Sequence, residues 1–292
     1  KTPLGYEANG ARRWIKIAGI SLQPAEVVKI TLILLLASVI CIMGKQVRTL
    51  KGIAIVMGAA MIPAAMILLI TKNMSSAIII AGIAAVMLFV ADPHYKRYIV
   101  ITLAVVGVAA LAVLVIVNAA KGGASQAGGF RGTRILAWLN PEEYSDNTGF
   151  QTLQALYAIG SGGLWGKGLG QSMQKLGFLP EAQNDMVFSI ICEELGLFGA
   201  FCVILLFVML LWRMMVIANN APDLFGALLV VGVMGHFAIQ VVLNIAVVTN
   251  SIPNTGITLP FISYGGTSIL FLMSEVGLVL NVSKSIRLRD VG

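Results

Sequence analysis

Charged residues are scarce in this chain: Asp, Glu, Lys and Arg make up 11% of its 292 residues, whereas soluble domains carry about 25%. Apolar types make up 58% of the residues and the mean hydropathy is +0.90. This balance excludes a soluble globular enzyme, a disordered chain and a coiled coil. Only three cysteines occur, all inside apolar runs, which excludes a disulfide framework. What remains is an integral membrane protein built of helices.

Long runs without charge predict the membrane-spanning helices, since about 20 apolar residues cross a bilayer. Pro253, Gly256 and Pro260 divide the longest such run, residues 224–274, into two spans. The sequence therefore predicts an all-α fold, a polytopic transmembrane helical bundle with seven spans. The predicted spans are 27–44, 52–70, 74–91, 98–118, 187–212, 225–248 and 267–285.

Domain organisation follows from the same pattern. No internal repeat is evident, so we expect a single transmembrane domain over residues 1–292. Residues 121–187 form a long loop within this domain. Loops of this length are usually functional or disordered, and the aromatic and periodic apolar residues of this loop predict an ordered, structured one.

Basic residues in the short loops predict the orientation of the spans. They gather on one side, which places the C-terminus in the cytoplasm: Lys45, Arg48, Lys51, Lys96, Arg97, Arg213, Lys284, Arg287 and Arg289. The 121–187 loop then lies outside the cell. Arg12 and Arg13 share that outer side, so they either bind an anion or meet lipid headgroups. The net charge of +7 reflects these basic loops rather than a nucleic-acid partner.

The 121–187 loop contains two candidate functional elements. Residues 160–170 hold six glycines and Lys167, and they could either cradle a phosphate or form a tight turn packed against helices. Asp185 ends the loop directly before the fifth span. Burial there would raise the pKa of its carboxyl toward that of a useful base, whereas the same position also suits a helix N-cap.

Polar residues within the predicted spans are expected to face the interior of the bundle, because hydrocarbon disfavours them. Glu26 and Lys29 are about one helical turn apart and can form an ion pair. His236, Gln240 and Asn244 recur every four residues on one helix face. They could form a proton relay or hydrogen bonds between helices, and we favour the second interpretation.

Seven segments of the chain resemble the motifs of one protein family. They are Asn9–Ile15, Gln23–Glu26 with Lys29, Ala137–Pro141, Gly149–Gly170, Phe178–Asp185, Glu193–Gly196 and Gly256–Gly266. They occur in the order of the SEDS family (shape, elongation, division, sporulation), whose members are bacterial peptidoglycan glycosyltransferases. Asn184 and Thr258 resemble the division and sporulation branch more than the elongation branch. Residues 73–76 depart from the family pattern, since Asn73 stands where the family usually has an aspartate.

The resemblance implies ten spans, so we expect three to be missing from this sequence, which begins at Lys1. It also implies a multi-pass protein of the bacterial cytoplasmic membrane that polymerises lipid II during cell division or sporulation. The glycan would leave undecaprenyl pyrophosphate for the 4-hydroxyl of an acceptor, with Asp185 as the general base. The intramembrane acids favour an alternative, a lipid II flippase or an ion-coupled transporter.

Further site residues and partners are implied by the resemblance. Substrate binding would involve Arg12, Arg13, Lys29, Arg134, Lys167, Lys175, Ser263 and Tyr264. Supporting roles would fall to Gln23, Glu26, Glu193 and Glu194. No resident cofactor and no metal-ligand cluster are expected, although a divalent cation, Mg²⁺ or Mn²⁺, could bridge the pyrophosphate and the aspartate. The implied partners are lipid II, membrane lipids, a class B penicillin-binding protein (a transpeptidase) and the division machinery.

Overall fold

The computed structural model describes residues 5–8, 11–17, 20–121, 129–144 and 149–286. Near the N-terminus, three strands form a small antiparallel sheet in the order β1 (Gly5–Ala8), β2 (Ala11–Ile17) and β3 (Ile20–Leu22). The sequence analysis did not predict these strands, because a search for bilayer-length apolar runs passes over segments this short. The remaining regular structure of the described residues is helical, as predicted.

Nine α-helices follow in the described part of the chain. They are α1 (Pro24–Met43), α2 (Leu50–Ile70), α3 (Met74–Ala91), α4 (Tyr95–Lys121), α5 (Gly129–Leu139), α6 (Phe150–Gly162), α7 (Val187–Asn219), α8 (Leu224–Val248) and α9 (Gly266–Lys284). Six of them (α1, α2, α3, α7, α8 and α9) are long and apolar enough to cross a membrane. The polytopic helical architecture is therefore confirmed. The fourth predicted span, 98–118, coincides with α4, and the total of seven spans stays a prediction.

Local sequence explains where the first helices begin. Pro24 occupies the first turn of α1, where its missing N–H removes no helical hydrogen bond. Asn73 caps α3, since its side-chain oxygen accepts a hydrogen bond from the Ser76 N–H at 3.1 Å. Asparagine caps a helix as well as aspartate does. The departure from the family pattern at this position therefore leaves the start of the helix intact.

The chain divides into two compact units. The first comprises Lys1–Tyr95, Phe207–Gln240 and Tyr264–Gly292, and the second comprises Lys96–Leu206 and Val241–Ser263. This division does not test the expectation of one domain over residues 1–292, which stays a prediction. The candidate functional residues of the long loop all lie in the second unit.

The first unit packs α1 against α2, α3 and α9. Leu36 of α1 and Ile80 of α3 are completely buried. Gly232 of α8 permits a close approach to α1, because a Cβ atom there would lie 2.6 Å from Ile33 Cγ2. Small residues serve the same purpose at many helix contacts in membranes.

Four ionisable side chains form a buried chain of contacts inside the first unit. Lys29 Nζ lies 2.8 Å from Glu26 Oε2 and 3.0 Å from His236 Nε2, and His236 Nδ1 lies 2.8 Å from Glu275 Oε2. The side chains of Lys29, His236 and Glu275 are at most 2% exposed. The predicted pair of Glu26 and Lys29 is thus confirmed, and His236 links α1, α8 and α9 as the interhelical interpretation requires. Mutual pairing is what allows these groups to be buried.

Lys29→Ala should lower the thermal stability of the detergent-solubilised protein, because it removes the cation that Glu26 and His236 contact in the core. Removing one partner of a buried ion pair costs about 3–5 kcal/mol. The double variant Glu26→Gln, Lys29→Met should melt above Lys29→Ala, since neither charge remains. Lys45→Ala removes an exposed lysine and serves as the control. If all three variants melt like the parent protein, the pair does not stabilise the fold.

Candidate active site

Asp185 lies two residues before α7, in the turn that closes the long loop. The backbone N–H groups of Asn184 and Met186 both donate to the Glu181 carbonyl, at 2.9 and 3.4 Å. Asp185 is 8% exposed. Its burial, together with the nearby Glu181 carboxylate, raises the pKa of Asp185 to about 7. A carboxyl with this pKa can act as a general base near neutral pH.

A chain of hydrogen bonds leads from the Asp185 carboxylate through two amides to a guanidinium. Gln151 Nε2 donates to Asp185 Oδ1 at 3.4 Å, and Asn254 Nδ2 donates to Gln151 Oε1 at 2.9 Å. Arg134 Nη1 donates to the Asn254 carbonyl at 3.2 Å. Arg134 and Gln151 both lower the pKa of Asp185, but they do so less than burial raises it. The site therefore combines a shielded carboxyl with a neighbouring positive charge.

Two side chains hold the main chain at Asp185. Asn244 Nδ2 donates to the Asp185 carbonyl at 2.7 Å and to the Ile257 carbonyl at 2.6 Å. The Ser263 hydroxyl donates to the Asn184 carbonyl at 2.6 Å. Asn244 and Ser263 are both buried. Ser263 was predicted to bind substrate, and the structure places its hydroxyl against the protein main chain instead.

A cavity of about 230 Å³ lies beside the candidate base. It is lined by Arg134, Ala137, Trp138, Phe150, Gln151, Thr152, Pro180 and Asn254. Ligand pockets typically combine apolar and aromatic walls with a few placed polar groups, and this lining has both. The cavity shares Gln151 and Arg134 with the surroundings of Asp185.

The glycine-rich segment of the long loop packs against an interruption in α7. Gly196 has φ 70° and ψ −167°, which breaks the helix. Four backbone bonds join the two segments: Lys167 N to Glu193 O (2.9 Å), Gly168 N to Glu194 O (2.9 Å), Leu197 N to Gly163 O (2.9 Å) and Phe198 N to Leu164 O (3.1 Å). A Cβ atom at Gly166 would lie 2.2 Å from the Glu194 carbonyl oxygen. The structure thus favours the tight packed turn over the phosphate cradle.

Glu193 anchors the same segment through its buried carboxylate. The carboxylate accepts hydrogen bonds from Ser161 Oγ (3.4 Å), Lys167 Nζ (2.7 Å), Ser172 Oγ (2.5 Å), Met173 N (3.3 Å) and Gln174 N (3.3 Å). Lys175 Nζ lies 3.4 Å from Glu194 Oε1 in a more exposed pair. Lys167 and Lys175, which were predicted to bind substrate, therefore both lie in ion pairs with α7. Glu193 holds the segment through these bonds and Glu194 adds only the one pair, and the supporting roles of both residues in the reaction stay a prediction.

The other predicted site residues belong to the first unit, whereas Asp185 belongs to the second. Tyr264 is 75% exposed and belongs to the first unit. Gln23 is half-buried directly before α1. Arg12 and Arg13 lie on β2, and their side chains fall outside the described part of the structure. No group of three or more His, Cys, Asp or Glu residues in the described part is placed to hold a metal ion.

Sequence reasoning missed three amides of the site. Gln151 lies in the segment Gly149–Gly170, which resembles the family, and Asn254 lies in the proline-containing loop after α8, but neither was assigned a role. Asn244 was assigned only to the polar stripe of its helix. An amide near the end of an apolar span is a usable signal, since hydrocarbon disfavours it unless it has a partner.

Glu193→Gln should loosen residues 163–176, because a neutral amide cannot replace the carboxylate that accepts four hydrogen bonds from this segment and a fifth from Ser161. Hydrogen bonds to charged groups contribute about 1.5–3 kcal/mol each. We expect faster amide hydrogen exchange in this segment, with the exchange of α8 unchanged. Glu194→Gln is the matched control, since exposed pairs contribute only about 0–1 kcal/mol. Equal exchange rates in the two variants would contradict an anchoring role for Glu193.

Comparison with known protein families covers nearly the whole chain. The profile of the FtsW/RodA/SpoVE family, described as "cell cycle protein", matches residues 1–288. The chain is 39% identical to stage V sporulation protein E of Bacillus subtilis, over 96% of this chain and 74% of that protein. It is 41% identical to a probable peptidoglycan glycosyltransferase FtsW of Geobacter metallireducens, over 96% of this chain and 72% of that protein.

Solved structures show the same fold. A chain from work titled "Structural coordination of polymerization and crosslinking by a peptidoglycan synthase complex" superposes with a TM-score of 0.75 and 28% identity, covering 97% of this chain and 76% of that chain. The rod shape determining protein RodA of Thermus thermophilus superposes with a TM-score of 0.64 and 26% identity, covering 98% of this chain and 73% of that chain.

Proposed function

This chain belongs to the FtsW/RodA/SpoVE family of cell cycle proteins, and we propose that it is a multi-pass membrane peptidoglycan glycosyltransferase that polymerises lipid II into glycan strands. Relatives of similar sequence over most of their length are named as probable peptidoglycan glycosyltransferases. The single observation that carries the proposal is the buried Asp185 carboxyl, whose pKa is raised to about 7 beside Arg134.

The proposed reaction is a glycosyl transfer with one protein base. The acceptor 4-hydroxyl attacks the anomeric carbon of the donor glycan while Asp185 takes the hydroxyl proton. The bond from the anomeric carbon to undecaprenyl pyrophosphate breaks, and the pyrophosphate departs with the bonding electrons. A second carboxylic acid is not needed, because the donor carries its own leaving group, unlike the substrate of a glycoside hydrolase.

Positive charge near Asp185 assists this reaction by stabilising the departing pyrophosphate. Arg134 supplies a guanidinium held by the Asn254 carbonyl. A guanidinium suits phosphate because it can offer two parallel hydrogen bonds. An Mg²⁺ or Mn²⁺ ion would meet few protein ligands among the described residues of this site. Such an ion would take most of its ligands from the pyrophosphate and water.

Location and partners follow from the same proposal. The basic short loops favour a C-terminus in the cytoplasm of a bacterium and a long loop outside its cytoplasmic membrane. One structural neighbour belongs to a peptidoglycan synthase complex that is described as coordinating polymerisation and crosslinking. We therefore propose that a class B penicillin-binding protein crosslinks the strands that this protein makes, during cell division or sporulation.

A lipid II flippase or ion-coupled transporter was the alternative, and it depended on the intramembrane acids and His236. In the structure, Lys29 contacts Glu26 and His236, and His236 contacts Glu275. These contacts account for the buried charges through interactions within the protein. The glycosyltransferase is therefore the function that the site supports best.

Asp185→Asn should reduce glycan polymerisation at least about 100-fold, because general base catalysis contributes 10²–10⁴-fold. The measurement is strand synthesis from lipid II by the purified protein with its transpeptidase partner. Glu142→Gln removes an exposed acid of the same loop and should leave the rate unchanged. Polymerisation by Asp185→Asn within tenfold of the parent rate would refute the role of Asp185 as the base.

The melting temperature of Asp185→Asn separates lost chemistry from lost folding. The folded-state pKa of Asp185, about 7, lies above its ordinary value of 3.8. Above pH 7 the ionised carboxylate therefore destabilises the folded state, and the destabilisation fades as the pH falls toward 3.8. We expect the amide variant to melt no lower than the parent protein at pH 8.

The polymerisation rate should fall as the pH drops through about 7, because a protonated Asp185 cannot accept a proton. Glu181→Gln removes a like charge that raises the pKa of Asp185, so the acid limb of the rate profile should move to lower pH. The Glu142→Gln profile should coincide with that of the parent. If the Glu181→Gln limb stays in place, the titrating group is not Asp185.

A further inference from the structure

Two hydrogen bonds to the main chain control how the Asp185 side chain points. The Asn184 carbonyl, before the Asp185 Cα, accepts from Ser263 Oγ at 2.6 Å. The Asp185 carbonyl, after this Cα, accepts from Asn244 Nδ2 at 2.7 Å. The two carbonyls belong to the two rigid peptide planes that flank the Cα. Holding both planes fixes φ and ψ of Asp185, and with them the direction of its Cα–Cβ bond.

The orientation of the Asn244 amide is determined by its partners. Both acceptors, the carbonyls of Asp185 and Ile257, require the NH₂ group rather than the side-chain oxygen. Asn244 is 0% exposed, so bulk water does not compete for these bonds. Its Oδ1 atom has no hydrogen-bond partner among the described residues. A buried unpaired oxygen is unfavourable. Here the side-chain oxygen is unpaired while the NH₂ group of the same amide donates to two carbonyls.

The same amide also holds the segment that covers the Asp185 carboxylate. Its second bond goes to Ile257, which follows Gly256. A Cβ atom at Gly256 would lie 3.7 Å from Asp185 Oδ2, so this backbone borders the carboxylate. Ser263 fixes the other end of the segment, because its hydroxyl accepts from the Leu259 N–H at 2.7 Å. Asn244 and Ser263 thus hold both the main chain at Asp185 and the backbone of residues 256–259 beside its carboxylate.

We propose that Asn244 and Ser263 are positioning residues that orient the Asp185 carboxylate toward the acceptor hydroxyl and keep water away from it. This inference rests on the proposed function, in which Asp185 is the base. Both residues act through Asp185, because their side chains bond the main chain on either side of it. Neither residue contributes its own proton to the reaction.

Asn244→Ala, made in the full protein with its partner, should lower kcat for lipid II polymerisation about 10–100-fold, since small misplacements of reacting groups have effects of this size. KM should stay within about threefold. The acid limb of the rate profile should move to lower pH, because water reaching the carboxylate weakens the desolvation that raises its pKa. If Asn244 only stabilised the fold, its replacement would leave the acid limb where it is in the parent protein.

Asn250→Ala is the matched control. Asn250 Nδ2 also donates to a main-chain carbonyl in the same unit, that of Trp138, at 3.2 Å. Asn250 has φ 56°, which alanine adopts poorly, so its replacement should also lower the melting temperature. We expect kcat and the acid limb of Asn250→Ala to match the parent. If Asn244→Ala and Asn250→Ala lose kcat equally, Asn244 stabilises the fold and does not position Asp185.

Ser263 provides a second test that does not depend on the folding of Asn244→Ala. Ser263→Ala should lower kcat and shift the acid limb in the same direction. Ser263→Thr keeps the hydroxyl and should restore most of the activity. If Ser263→Thr is as impaired as Ser263→Ala while both melt like the parent, the hydroxyl does not position Asp185 and the proposal fails for Ser263.

Infrared difference spectroscopy of the Asp185 carboxyl, followed through a pH titration, tests the inference without the reaction. The band is assigned by its absence in Asp185→Asn. Its midpoint should be lower in Asn244→Ala than in the parent and unchanged in Asn250→Ala. An unchanged midpoint with unchanged kcat in Asn244→Ala overturns this inference alone. An active Asp185→Asn protein overturns the proposed function instead.

Discussion

The interruption of α7 at Gly196 is the constraint on which the second unit depends. A break inside a helix frees backbone N–H and C=O groups, and each such group costs about 1–3 kcal/mol if it is buried without a partner. Residues 163–168 supply the partners at both sides of the break. This explains the glycines of the segment, because the main chains approach too closely for a side chain at Gly166. Glu193 then fixes the rest of the segment by its charge.

The buried polar groups of the two units have different kinds of hydrogen-bond partner. In the first unit, ionisable side chains from α1, α8 and α9 contact one another within 3.0 Å. In the second unit, side chains mainly bond the main chain, as Asn244 and Ser263 do at Asp185. The first arrangement ties helices together in an apolar core. The second arrangement sets the geometry of one carboxylate, which is what a base requires.

The sequence predicted the parts of this structure that a bilayer dictates. Charge-free runs placed spans at 52–70 and 225–248, and the helices run over Leu50–Ile70 and Leu224–Val248. The same reasoning passed over the N-terminal strands, which are shorter than any span. It also missed the bonds that hold Asp185, because Asn244 and Ser263 lie 59 and 79 residues from the carbonyls that they bind. Contacts this distant leave no periodic pattern in a single sequence.

The strength of Asp185 as a base is a property of packing rather than of its immediate charges. Burial is the largest cause of its raised pKa, ahead of the repulsion from Glu181, and Arg134 acts in the opposite direction. The burial comes in part from backbone at Gly256, where a Cβ atom would lie in van der Waals contact with Asp185 Oδ2, at 3.7 Å. A general base works best when its pKa lies near the operating pH. Any substitution that opened this cover would therefore bring the pKa toward 3.8 and weaken the base, even with Asp185 itself unchanged.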